Sequence, residues 1–260
     1  VASDLIGVNL EFPAPFGKAA SDRWPSKVER TIGRAIDAGG QSVRQDTISA
    51  RLGDVLTAHT QTRLVGGARE LERAAIGIGS AEVALPRERG VLVAVNLPEF
   101  DVDTLGSLVP RDAGAKGARL ITALSVRAES LVALGRRFHD VTLRARLSGN
   151  SWQAQAKSRE IVGELAWRPE GRGSLVARLA RLELPDPQQA PVGDGSLSEL
   201  PALDIVAESL ILSGRNLGRL TLMAENEGRD WRIQHSEVWA PEGVILAQGS
   251  WRPRADLPER

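Results

Sequence analysis

Residues Ala123–Trp152 read ALSVRAESLVALGRRFHDVTLRARLSGNSW, and residues Ala202–Trp231, 79 positions on, read ALDIVAESLILSGRNLGRLTLMAENEGRDW. Thirteen of the 30 aligned positions are identical, including the run Ala-Glu-Ser-Leu, the pairs Gly-Arg and Thr-Leu, and the closing Trp. After five extra residues in the second copy the match resumes, Trp167-Arg168-Pro169 answering Trp251-Arg252-Pro253. Self-similarity at a fixed period marks a repeat architecture, in which each unit buries its apolar side only by stacking on its neighbours.

Inside the repeat the hydrophobic period is two. In VTLRARL, Val141, Leu143, Ala145 and Leu147 point one way while Thr142, Arg144 and Arg146 point the other, the pattern of a strand with one wet face. LSVRAE (Leu124, Val126, Ala128), LDIVAE (Leu203, Ile205, Ala207) and LTLMAE (Leu220, Leu222, Ala224) alternate in the same way. Shorter runs over 4–11, 42–51, 54–63, 71–78 and 91–97 read as further strands, with Gly-Arg, Ser-Gly-Asn, Pro-Glu-Gly and Asn-Glu-Gly at the joints. Only Asp103–Val109 has a helical look, as a connector. Each copy reads as four strands joined by tight turns. A linking segment follows, which in the first copy runs through SLVARLARLEL to PDPQQAPVGDGSLSELP.

The expected fold is all-β: a long, continuous antiparallel sheet of stacked repeats with little helix. It divides into segments 1–118, 119–200 and 201–260, the last truncated. About fifteen strands at ~4.8 Å would extend roughly 70 Å, too far for an ordinary barrel. The Trp residues fall on the apolar parity, Trp152 with Ala154 and Ala156, Trp167 with Ile161 and Leu165, and Trp231 and Trp251 likewise in the second copy.

Composition narrows the functions available. The 260 residues are 42% hydrophobic and 25% charged, a folded rather than a disordered chain. With 33 basic and 33 acidic residues the net charge is +0, so no overall field draws the chain to nucleic acid or to anionic surfaces. The absence of cysteine excludes disulfides, thiolate catalysis and Cys-ligated metals. No apolar run reaches the ~20 residues of a membrane helix. The start at Val1, inside a strand-like pattern, reads as an excised piece of something longer.

The two long repeat segments, with the LGRxFxxLxLxA block, a Trp sixteen residues after its Arg, and the WRPEGRG turn, resemble the central region of the YhdP family. These are very large AsmA-like proteins of the bacterial envelope, related to TamB. SDLIGVNLEFPAPFGKAASDRWP and IGIGSAEVALPRERGVLVAVNLPEFDVDTLGSLV resemble the family's preceding segments, whereas the stretch between Lys27 and Glu70 is less similar. The resemblance implies a long curved sheet forming a U-shaped apolar groove across the periplasm. It also implies a protein anchored to the inner membrane by a helix absent from this sequence, which carries phospholipid toward the outer membrane. Its expected partners are phospholipid acyl chains, other segments of the same longer chain and envelope proteins. No catalytic motif carries over, and neither an enzyme activity nor a cofactor is expected.

Strand parity then nominates the groove lining: Leu124, Val126, Val141, Leu143, Ala145, Trp152, Leu165, Trp167, Leu203, Ile205, Leu220, Leu222, Trp231, Ile233 and Trp251. The competing reading is a passive envelope scaffold or protein-binding β module, whose same residues fill a dry core between two sheets. From periodicity alone that reading has the stronger claim; the resemblance reverses the order. A carbohydrate-binding sandwich would need exposed aromatics in a cleft, and aromatics are only 4% of this chain, with no Tyr.

Polar features have plain explanations. His59, His139 and His235 stand on separate strands without the i, i+3 or i+4 partner that metal sites favour. Asp101 and Asp103 alternate on one strand face, which suits solvation better than acid–base work. Gly66-Gly67 and Gly77-Ile78-Gly79 lack the Lys-Ser/Thr and the helix of a phosphate loop and read as bends or bulges. Arg127, Arg144, Arg146 and Arg178 occupy the polar parity, where a solvated face that discourages edge pairing outweighs headgroup contact.

Overall fold

The computed structural model describes residues 1–33, 36–38, 41–66, 68–104, 120–133, 135–184, 200–227 and 230–251. The chain falls into two compact units, Val1–Leu131 and Val132–Arg260. The first holds β1 (Ala2–Ser3), β2 (Ser26–Ile32), β3 (Ile36–Ala38), β4 (Gln41–Leu52), β5 (Leu56–Val65), β6 (Ala68–Gly79), β7 (Gly90–Asp101) and most of β8 (Ile121–Ala133). The second holds β9 (Arg136–Ser148), β10 (Ser151–Lys157), β11 (Ile161–Arg168), β12 (Ser174–Leu184), β13 (Ala202–Leu212), β14 (Arg215–Glu227), β15 (Asp230–Ala240) and β16 (Gly243–Trp251). Among the described residues these strands form one sheet in chain order, except that β3 lies off the path as a second partner of β4.

Neighbouring strands pair antiparallel wherever the connection is tight. Ser148 and Ser151 are paired, so β9 turns into β10 through Gly149-Asn150, with Gly149 at φ +61 in the first central position, the II′ geometry that matches strand twist. Leu212 and Arg215 close the β13–β14 hairpin around Ser213 and Gly214, both at positive φ as type I′ demands.

Among the pairings whose register is described, β6 to β7 and β12 to β13 run parallel. A parallel joint needs a crossover long enough to return the chain to the starting end. After β6 the residues 80–89 make that return across the sheet, the Ala81 carbonyl and the Val83 side chain lying where a Cβ on Gly77 would point. After β12 the return spans 185–199, outside the described residues.

Three readings of the sequence need correction. SDLIGVNLEF is not a strand: Leu5 (φ 54) and Gly7 (φ 89) turn the chain, and Leu10 and Lys18 form only an isolated bridge. Lys18 is buried there, its ammonium donating to the carbonyls of Val8 (3.0 Å) and Ala19 (2.9 Å), which offsets the cost of removing the charge from water. Residues 26–32, not singled out from the sequence, form β2. SLVARLARLEL is not a linker but β12, a fifth strand of the first copy.

The connector after β7 starts as one helical turn over 102–104, with Asp101 as its cap. Thr104 donates to the Asp101 carboxylate from both its backbone N–H and its hydroxyl, each at 2.8 Å. Residues 105–109, and the segment boundary after 118, lie outside the described residues.

At Gly218 (φ +91) a Cβ would overlap the Trp239 carbonyl oxygen on the neighbouring strand, whereas at Gly149 it would meet nothing within 4 Å. Gly218→Ala is therefore expected to cost about 2 kcal/mol or more, and Gly149→Ala about 1 kcal/mol from backbone strain alone. Urea unfolding of both variants measures the contrast, and equal losses would contradict it.

Candidate functional site

Because side chains alternate with a period of two, the register of the second unit decides what each face presents. One row of Cα partners runs Leu147, Trp152, Trp167, Leu175, Leu203, Ala224 and Ile233. Two residues along, the next row runs Ala145, Ala154, Leu165, Ala177, Ile205, Leu222 and Ser236. The third runs Leu143, Ala156, Gly163, Leu179, Ala207, Leu220, Val238 and Ile245. No charged residue enters any of the three. Between them, on the opposite face, lies the row Arg144, Gln155, Glu164, Arg178, Val206, Thr221 and Glu237.

The apolar rows survive because β-bulges absorb extra residues. The register shifts between Val162 and Gly163, between Ala207 and Leu210, and between Met223 and Ala224. Each shift brings the following residues back to the same face, so Leu210 rejoins Ala207, and Ile233 stands opposite Ala224.

Burial on this face is shallow. Ala177, Leu179, Ala207, Leu210 and Leu220 are buried, with Leu165, Ile205, Leu222 and Val238 packed partly buried against them. Among the described residues no large side chain is more than 98% buried. Two sheets packed face to face would interdigitate and close their long inward residues off from water. Here the small residues are shielded by their neighbours, and the long ones that shield them keep part of their surface.

The parity-nominated residues of the second unit that are described, Val141, Leu143, Ala145, Trp152, Leu165, Trp167, Leu203, Ile205, Leu220, Leu222, Trp231 and Ile233, are buried or half-buried on their strands. Trp152 and Trp167 stand directly opposite each other. The Trp167 ring lies over Gly173, leaving no space for a side chain there, which gives the WRPEGRG turn its need for glycine. The Trp231 indole N–H donates to the Pro201 carbonyl at 2.9 Å, and its Cα partner on β16 is Trp251. Leu124 and Val126 sit on β8 in the first unit, Val126 buried and Leu124 half-buried.

The polar face is stitched across neighbouring strands. Arg178 makes a two-pronged contact with Asp204, Nη1 and Nη2 each 2.9 Å from a carboxylate oxygen, spanning the parallel β12–β13 joint. Hydrogen bonding to Asp204 raises the guanidinium's pKa against the opposing effect of burial. His59 meets the Ser49 hydroxyl at 3.0 Å, His139 meets Glu160 at 2.6 Å and His235 faces Glu237 at 3.4 Å. Among the described residues no three His, Cys, Asp or Glu side chains gather as a metal site would require, and no helix is long and apolar enough to cross a membrane.

Geometry of this kind defines a class: an all-β repeat protein built from stacked strands. Within that class the chain belongs to the YhdP family, whose model, described as YhdP protein, matches residues 1–259. Comparison with curated proteins and with solved structures found no match.

Glu160 ties the start of β9 to the β10–β11 turn. Burial pushes its carboxyl pKa up, but hydrogen bonds from the His139 side chain and backbone, with others from its own N–H and Ser158, outweigh this and hold it below the usual carboxylate value. With the folded value depressed, the stabilisation is complete above the unfolded pKa of about 4.3 and fades as pH falls through the folded one. The melting-temperature gap between wild type and Glu160→Gln is thus expected to narrow as pH is lowered from about 5 to about 3. A gap that stays constant over that range would contradict the assignment.

Proposed function

We propose that this chain is a segment of a periplasmic lipid-transfer protein, in which the apolar face of β9–β16 shields phospholipid acyl chains on their way between inner and outer membrane. The observation that carries the reading is the set of uncharged, in-register rows, most of whose long side chains are half-buried. Contiguous apolar surface is unusual on a protein that works alone in water and marks a place where something apolar binds. Family membership supports an envelope setting. The remaining partners are other segments of the same longer chain and envelope proteins, and the role is carriage without chemistry.

Hydrocarbon fits the face in kind and magnitude. Each methylene removed from water contributes about 0.8 kcal/mol, so a chain of roughly fifteen is held by on the order of 10 kcal/mol before entropy losses. The attraction is non-directional and similar from one row to the next, so displacement along the face costs little.

The competing scaffold reading requires a closed, dry interior, which the partial exposure of Leu165, Trp167, Ile205 and Leu222 disfavours. Purified protein extracted with organic solvent is expected to release phospholipid, read by mass spectrometry. A photo-crosslinking residue placed at Leu143 or Leu222 is expected to capture lipid, and one at Arg144 on the opposite face is not. Lipid-free, well-folded protein, or equal capture from both faces, would overturn the reading.

A further inference from the structure

The first unit has a face of its own whose chemistry changes along the strands. Across β4, β5, β6 and β7, Leu52, Leu56, Ile78 and Val95 form one row of Cα partners. Two residues along, Val28, Ala50, Ala58, Ile76 and Val93 form the next. The third row opens with Arg30 beside Ile48, and the fourth pairs Ile32 with Asp46. Steps of two keep these residues on one face, so the same surface that is apolar across β4–β7 at Leu52 carries an ion cluster at Asp46, about 20 Å away along the strand.

That cluster is lopsided. Asp46 is only 3% exposed, and its carboxylate meets Arg30 Nη2 at 2.6 Å, Arg44 Nε at 3.0 Å and Arg44 Nη2 at 3.3 Å. Hydrogen bonding from Arg30, opposed by burial and reinforced by Arg44, holds the carboxyl below its ordinary range, so it stays ionised. One guanidinium would neutralise it; two leave a surplus positive charge. Each guanidinium has five N–H donors, of which Arg30 gives one and Arg44 two to Asp46. Among the described residues, neither arginine reaches a second carboxylate. Their side chains are 41% and 31% exposed, so the free edges of both forks are reachable from outside.

We propose that Arg30 and Arg44 are a station for the phosphate of a lipid whose acyl chain lies over the Ala50–Ala58–Ile76 and Leu52–Leu56–Ile78 rows. The inference rests on the lipid-carrying reading and adds to it the place where the phosphate is held. Paired guanidiniums match phosphate oxygens in charge and in planar, two-pronged geometry. Asp46 acts as a built-in competitor: an arriving phosphate shares the forks with a carboxylate already there, which keeps the contact weak enough to release.

The test titrates the chain Val1–Arg260 calorimetrically with three probes: dihexanoylphosphatidylglycerol below its micelle concentration, dihexanoylglycerol as the uncharged counterpart, and inorganic phosphate alone. The phosphatidyl lipid is expected to bind about tenfold tighter than the neutral one. Arg30→Gln and Arg44→Gln are expected to remove most of that preference without changing the affinity for dihexanoylglycerol, and Asp46→Asn to increase it. Arg63→Gln, on the opposite face, is expected to leave it unchanged. Equal binding of both lipids overturns the station while leaving lipid carriage in place, and binding of neither overturns both. Inorganic phosphate binding as tightly as the lipid, with the same dependence on Arg30 and Arg44, makes this a free-anion site and overturns the lipid assignment. Should the substitutions at 44 or 46 fail to fold, wild type and Arg30→Gln decide through salt. The preference of wild type must weaken as ionic strength rises, and a preference indifferent to salt or kept in Arg30→Gln overturns the proposal.

Discussion

Register is the constraint on which the second unit depends. A one-residue slip on any strand from β9 to β16 would carry its whole apolar set to the wet face and bring Arg144, Glu164 or Arg178 into the apolar rows. The chain nevertheless contains residues that do not fit a strict alternation, and it accommodates them as bulges near Gly163, Leu210 and Ala224. A bulge costs a locally broken ladder, and in exchange the following residues stay on the correct side. The parallel β12–β13 joint is held to the same standard, since Leu175 meets Leu203, Ala177 meets Ile205 and Leu179 meets Ala207 without a shift.

Among the described residues no large side chain is fully buried, so cohesion comes from strand neighbours rather than from a shared interior. This explains the residues chosen for the middle of the face. Ala177, Ala207 and Ala224 are 1%, 0% and 0% exposed, because a methyl group between longer flanking side chains is covered without any second layer. A larger residue at these places would stand above its neighbours and gain little burial. Stability of this kind approximates a sum of nearest-neighbour terms, which permits repeats to be added without redesigning a common core.

Much of this was legible from the residues. The 79-residue offset identified the corresponding hairpins, and the alternation in VTLRARL and LTLMAE placed Leu143, Leu220 and Leu222 on one side of their strands. What escaped detection did so for definable reasons. SDLIGVNLEF alternates well enough, but hydropathy carries no information on φ, and Leu5 and Gly7 turn the chain where a strand was expected. SLVARLARLEL follows the WRPEGRG turn but passed for a linker, because the parallel partner after it is reached by a long crossover that leaves no turn signal at its far end. The Arg30–Asp46–Arg44 cluster joins residues 14 and 16 positions apart in sequence through the β2–β4 pairing, and β2 had not been singled out. A clue was present in QSVRQDTISA, where Asp46 shares the parity of Ile48 and Ala50 and so puts a charge on an apolar side.

The two faces also divide the kinds of interaction between them. Directional contacts, such as Arg178 with Asp204 and Gln234 with Glu225, lie on the polar side, where they cross-link strands and cover the backbone with charge. The apolar side of the second unit has rows of hydrocarbon that differ little from one strand to the next. An apolar molecule bound there, as proposed, would meet a nearly level surface: strongly attracted as a whole, weakly attached at any one place. Position can then be specified only by a charge, and a charge is tolerated on such a face only if it is already paired. Asp46 with its two arginines meets both requirements, since the carboxylate makes the guanidiniums acceptable on the apolar side while the second guanidinium leaves attraction to spare. Under the proposed role, that surplus would give the first unit's own face a stopping point where hydrocarbon alone provides none.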